Sequence, residues 1–113
     1  MNATISTCLA HEDARIMLFG AIGAGYLPIG DKAEYPARML LIQNNTDVEL
    51  WFSLDGTRNG LVLNANSSLW VDIASNQTYG RGMFFPAGGK VYVKQKGVPG
   101  AGEVIVNYFY GED

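Results

Sequence analysis

Arg38-Met39-Leu40-Leu41-Ile42-Gln43-Asn44-Asn45-Thr46-Asp47-Val48-Glu49-Leu50-Trp51-Phe52-Ser53-Leu54-Asp55-Gly56 reads as two extended segments divided by polar turn residues. Met39 to Ile42 is a short apolar run, strand-sized rather than helical, with side chains suited to burial on both faces. Asn44-Asn45-Thr46-Asp47 supplies turn chemistry, because short polar side chains bond the neighbouring backbone. Beyond it Val48, Leu50, Phe52 and Leu54 alternate with Glu49, Trp51 and Ser53, the period of a half-buried strand. The reading predicts a hairpin.

The same pattern continues downstream. Asp55-Gly56 is a strong turn pair, and Arg58-Asn59-Gly60 extends the loop into a strand at Leu61 to Leu63. Ser68 to Ile73 places Leu69, Val71 and Ile73 on one side and Ser68, Trp70 and Asp72 on the other. Lys90 to Lys96 turns Val91 and Val93 inward, with Lys90, Tyr92, Lys94 and Lys96 outward. In the last strand, Glu103 to Tyr110, Val104, Val106, Tyr108 and Tyr110 fill one face while Ile105 and Phe109 fill the other. No window carries a helical apolar repeat. The expected fold is all-β, a small antiparallel β-sandwich of jelly-roll type spanning residues 37–113.

Upstream the chain reads differently. Arg15 to Phe19 is a short apolar segment, and Gly20-Ala21-Ile22-Gly23-Ala24-Gly25 is too permissive to pack unaided. One strand near Ile16 to Phe19 and another near Tyr26 to Ile29 are expected, while Met1 to Asp13 has no evident partner within the domain. Residues 1–36 are therefore read as an extended N-terminal arm. Ile5, Leu9, Ile16, Leu18 and Phe19 are its apolar anchors for a neighbouring protein.

The chain of 113 residues has room for one domain, and its net charge of −3 lacks the basic footprint of a phosphate-binding protein, so no nucleic-acid partner is expected. No apolar run is long enough to span a membrane as a helix. Met1 to Thr7 has no basic residue and no apolar core, which predicts synthesis in the cytoplasm without a cleaved signal. Cys8 is the single cysteine, so neither an internal disulfide nor a multi-cysteine zinc site is available.

No catalytic, metal or cofactor site is read from the residues. His11 with Glu12 and Asp13 contains the single histidine, on a segment read as a hydrated polar leader. The glycine cluster at 20–25 lacks the order of a dinucleotide or phosphate loop. Asp55 and Asp72 are the residues available for a carboxylate pair, and Asp55 is better explained as a turn former.

The anomaly is aromatic. Trp51, Trp70 and Tyr92 all fall opposite the apolar alternation of their strands, and together they carry roughly 450 to 750 Å², at or beyond the usual largest apolar patch of a monomer. A single-residue bulge that reverses the faces of a strand accounts for any one of these rings, though less readily for all three, and otherwise two coverings are open. One is a homo-oligomer interface formed by Trp51, Trp70, Tyr92, Ile105 and Phe109. The other is a carbohydrate platform, with Trp51, Trp70 or Tyr92 stacking on sugar rings and Asp72 or Asn76 bonding hydroxyls.

Four elements resemble small virion structural proteins of tailed bacteriophages: Ala37 to Asp47 with Phe52-Ser53-Leu54-Asp55-Gly56, Ser68 to Asn76, Val91 to Gln95, and Tyr108-Phe109-Tyr110-Gly111. The resemblance covers about residues 16–111 and rests on turn and strand patterns rather than a catalytic signature. It implies a non-enzymatic β-sandwich subunit, commonly trimeric, assembled in the host cytoplasm and located in the virion. The implied role is a short tail-fibre or neck appendage, or alternatively a capsid decoration protein, attached to other virion proteins through the N-terminal arm.

Overall fold

In the computed structural model, residues 8–73 and 85–112 are described. They form strands β1 (Cys8–His11), β2 (Arg15–Leu18), β3 (Leu27–Pro28), β4 (Met39–Asn44), β5 (Leu50–Ser53), β6 (Leu61–Leu63), β7 (Ser67–Asp72), β8 (Tyr92–Gln95) and β9 (Glu103–Glu112), with a 3-10 turn at Phe19–Ala21. Two antiparallel sheets result. The larger runs β1-β9-β4-β7, with β2 following β1 along the same edge of β9; the smaller runs β3-β8-β5-β6.

The sheets face each other as a β-sandwich. Leu40, Ile42, Val104, Val106 and Tyr108 from the larger sheet meet Leu50, Phe52, Leu63, Val91 and Val93 from the smaller side in one buried cluster. Each such fully buried side chain contributes about 1.5–3 kcal/mol relative to exposure. Every strand expected downstream of residue 37 is present, and the alternation read from the sequence holds at Leu69 and Val71, which pack against the core while Trp70 points away; it fails after Phe52, where Ser53 is buried and Leu54, past the end of β5, is 50% exposed rather than inward.

The hairpin expected from the first quoted stretch is not formed. β4 pairs with β7 and β9, whereas β5 pairs with β6 and β8, so the Asn44–Asp47 connection carries the chain from one sheet to the other. The cause is the Asn44 side chain, which is fully buried. Its amide donates toward the carbonyls of Val48, Leu63 and Asn64 at 2.9, 3.0 and 3.1 Å, and its oxygen accepts from the Thr46 N–H and hydroxyl at 3.0 and 2.6 Å. These bonds tie the end of β4 to the opposite layer.

The extended arm also needs correction over its described part. β1 and β2 give β9 its outer partner, β3 pairs with β8, and Ile22, Ile29 and Ala33 are buried in the common core. The chain after β3 stays on the sandwich: Ile29 N–H donates to Val91 O and Ala33 N–H to Gly89 O. The strands expected near Ile16 and Tyr26 are β2 and β3, but Leu9 and His11 acquire a partner that local pattern does not reveal. An unpaired β9 edge would leave a row of backbone donors and acceptors open, and the N-terminal segment covers it. Ile5 lies outside the described residues.

Candidate interaction face

β4 and β9 are apolar on both sides, so their sheet presents apolar groups away from the core as well as toward it. The antiparallel register sets the outward residues in rows across the strands. One row is Ser68, Gln43, Ile105 and Ile16; the next is Trp70, Leu41 and Asn107; the third is Asp72, Met39, Phe109 and His11. Leu18 opposite Glu103 and Leu9 opposite Gly111 extend the face at its two ends. Trp70, Ile16, Leu18 and Leu9 are 54, 54, 64 and 62% exposed, and Met39, Leu41, Ile105 and Phe109 are half-buried beside them.

Aromatic contacts bind the rows together. The Trp70 and Phe109 rings lie 5.4 Å apart with planes at 37°, and His11 meets Phe109 edge-on at 6.4 Å. Neighbouring β4 and β9 hold this surface rigidly, since each is paired on both sides.

The residues expected as oligomer contacts and those expected as arm anchors thus converge in part. Trp70, Ile105 and Phe109 share one face with Leu9, Ile16 and Leu18, and Phe19 follows immediately in the 3-10 turn. Trp51 and Tyr92 do not belong to it. They stand on the outer side of the smaller sheet, where Trp51 is paired between Val62 and Lys94, and Tyr92 packs beside Gly56. Both are half-buried. Their surroundings are polar: Lys94 Nζ lies 4.7 Å from the centre of the Tyr26 ring, whose hydroxyl donates to Asn59 Oδ1 at 2.7 Å. The three outward rings therefore divide between two opposite surfaces, because sequence alternation reports the side of a strand but not the sheet it joins.

The segment read as a hydrated leader contains a buried ion pair that the sequence did not reveal. Arg15 Nη2 lies 2.8 Å from Glu12 Oε1, with both side chains buried. The Glu12 carboxylate also accepts from the Glu34 and Tyr35 backbone N–H groups, and Arg15 donates to the carbonyls of Asp13, Asp31 and Lys32. The guanidinium lies 5.1 Å from the centre of the Tyr108 ring. This pair fastens the 30–35 loop over the junction of β1 and β2. Gly30, at φ +68°, permits the approach, since a Cβ there would stand 2.8 Å from Arg15 Cγ. The i,i+3 spacing of opposite charges was the available signal, but it has this meaning only once the segment is known to pack.

The carboxylate-pair reading finds no support. Asp55 lies in the loop after β5 of the smaller sheet and Asp72 ends β7 of the larger. Asp55 caps its own turn: it accepts from the Arg58 and Thr57 N–H groups at 2.9 Å each and from the Ser53 hydroxyl at 2.8 Å. These bonds hold its carboxyl well below the usual carboxylate range. Among the described residues, no group of three or more His, Cys, Asp or Glu side chains is placed to hold a metal ion. Asn76, the other candidate hydroxyl partner for a sugar, lies outside the described residues.

No family model, no curated relative and no solved structure matches this chain.

Proposed function

We propose that the chain is a non-enzymatic structural subunit that assembles with copies of itself through the outer face of the larger sheet. The carrying observation is the convergence there of Trp70, Ile16, Leu18 and Leu9, all more than half exposed, on a rigid five-strand surface with half-buried Leu41, Ile105 and Phe109 between them. Apolar groups gathered on one rigid face, rather than scattered singly, are what an interface presents to its partner.

The sequence resemblance supports a virion setting: a short tail-fibre or neck appendage of a tailed phage, with capsid decoration as the alternative. In that setting the subunit is made in the host cytoplasm, forms a trimer and contacts other virion proteins through its N-terminal region. The test is molar mass in solution. A stable oligomer that dissociates on Ile16→Glu/Leu18→Glu supports the role, and a wild-type monomer at high micromolar concentration contradicts it.

A carbohydrate-binding reading retains one favourable observation. Trp70 is open enough to stack on a sugar ring and has Asp72 and Ser68 on the same side of its strand. Trp51 and Tyr92 lie on the other sheet, so they cannot extend that platform. Quenching or shift of Trp70 fluorescence by surface polysaccharides, without change in molar mass, would favour this reading over assembly.

A further inference from the structure

We infer that Asn59 is a slow self-modification site: its side-chain amide is converted to a carboxylate through attack by the Gly60 backbone nitrogen, at a rate held down by the Tyr26 hydroxyl. Asn59-Gly60 is the one Asn-Gly pair in the sequence. It stands exposed in the loop between β5 and β6, on the smaller sheet and away from the proposed assembly face. Asparagine reacts most readily before glycine, which has no Cβ to crowd its nitrogen or restrict the backbone. Packing does not ask for glycine at 60. Its φ lies outside the left-handed region, and a Cβ there would meet only Phe52 O, at an ordinary 3.4 Å.

The reaction needs water alone as co-reactant. The Gly60 nitrogen bonds to Asn59 Cγ and closes a cyclic imide; the Cγ–Nδ2 bond breaks, and the side-chain nitrogen leaves as ammonia with the proton of the Gly60 N–H. Water then opens the ring at either carbonyl. Breaking the new N–Cγ bond gives aspartate at position 59. Breaking the original peptide C–N bond gives the isoaspartyl form, whose main chain runs through Cβ and Cγ.

Two hydrogen bonds oppose the first step. Gly60 N–H donates to Phe52 O at 3.1 Å, which fixes the peptide plane and ties up the proton that must leave. The Tyr26 hydroxyl donates to Asn59 Oδ1 at 2.7 Å, which fixes the side-chain torsions, so Cγ cannot swing onto the nitrogen while the bond holds. Tyr26 is itself anchored, with Lys94 Nζ 4.7 Å from its ring centre. Desolvation and the nearby Asp55 raise its pKa, so it stays a donor through the neutral range. Conversion undoes this arrangement. The isoaspartyl link adds a methylene to the main chain just before β6 and moves Gly60 N–H off Phe52 O, and either product adds a negative charge to the loop that holds Asp55.

Peptide mapping by mass spectrometry, with isoaspartyl methyltransferase labelling, follows the exchange of NH2 for OH at Asn59 during incubation in neutral buffer at physiological temperature. The wild-type chain is expected to convert more slowly folded than in urea. Tyr26→Phe removes only the hydroxyl, and its folded form is expected to convert roughly fivefold faster than folded wild type, the factor that one ordinary hydrogen bond carries. Gly60→Ala falls below wild type in both states. Arg58→Ala, which alters the same loop but keeps both bonds, stays at the wild-type rate, and circular dichroism checks that each variant is folded. Equal rates for folded and unfolded wild type, or a folded Tyr26→Phe that converts no faster than wild type, overturns the inference. An Arg58→Ala rate as high as that of Tyr26→Phe also overturns it, by assigning the acceleration to general loosening of the loop.

Discussion

Trp70 and Phe109 pack ring to ring at 5.4 Å although their strands, β7 and β9, are separated by β4. The contact spans the intervening strand on the side away from the core, and His11 continues it at 6.4 Å on the far side of Phe109. An aromatic row thus crosses the whole sheet where a monomer would meet only water. Cross-strand aromatic pairs of this kind stabilise a sheet by about 0.5–1.5 kcal/mol each, but they leave the outer half of each ring without a covering. That uncovered half is the physical basis of the proposed assembly role.

The crossing from β4 to β5 depends on Asn44. Its amide and carbonyl bond the Val48, Leu63, Asn64 and Thr46 groups in a fully buried site. Asn44→Ala leaves several of these without partners and is expected to lower stability by about 3 kcal/mol. Urea denaturation with an unchanged slope checks it, and a loss below about 1 kcal/mol would show that the network is dispensable.

Gly102 lies at φ +94°, and a Cβ there would stand 2.0 Å from Asn45 O. Both the backbone conformation and the space forbid a side chain. Gly102→Ala is expected to cost at least ~2 kcal/mol or to prevent folding, whereas Gly20→Ala, with nothing within 4 Å, stays within about 0.5 kcal/mol of wild type. Thermal melts of the two variants side by side make the comparison.

The Glu12–Arg15 pair is best tested as a cycle. Glu12→Leu strands a buried guanidinium and is expected to cost about 3–5 kcal/mol. Glu12→Leu/Arg15→Met removes both charges and should be less destabilised than the sum of the two single variants. Simple additivity in chemical denaturation would mean that the two residues act independently.

Asp55 sets an acid limb. Its carboxyl is held below the ordinary range by the Arg58 and Thr57 N–H groups and the Ser53 hydroxyl. A depressed carboxyl stabilises the fold above its unfolded value, and that contribution fades as pH falls from about 4 toward the lower folded value. Asp55→Asn should therefore melt below wild type at neutral pH, with the gap narrowing in strong acid. A constant gap across pH would assign the effect to shape rather than charge.

The strands after residue 37 were legible because each carries its own alternation. Leu69 and Val71 against Trp70, or Val93 against Tyr92 and Lys94, identify a face without any knowledge of neighbours. What was not legible is non-local. Asn44 looks like any turn residue until its amide is seen reaching Leu63, and Leu9 and His11 look unpartnered until β9 is alongside. For the same reason the outward direction of Trp51, Trp70 and Tyr92 was readable, while their division between two sheets was not. The polar Glu12 and Arg15 were misleading in the ordinary direction, since charged residues are rarely buried unless paired.

Sedimentation equilibrium of the wild-type chain beside Trp70→Glu and Trp51→Glu tests the assembly claim most directly. The account predicts an oligomer for the wild type and for Trp51→Glu, and a folded monomer for Trp70→Glu, with circular dichroism unchanged. A wild-type monomer at high micromolar concentration, or an oligomer that persists in Trp70→Glu but dissociates in Trp51→Glu, would contradict it.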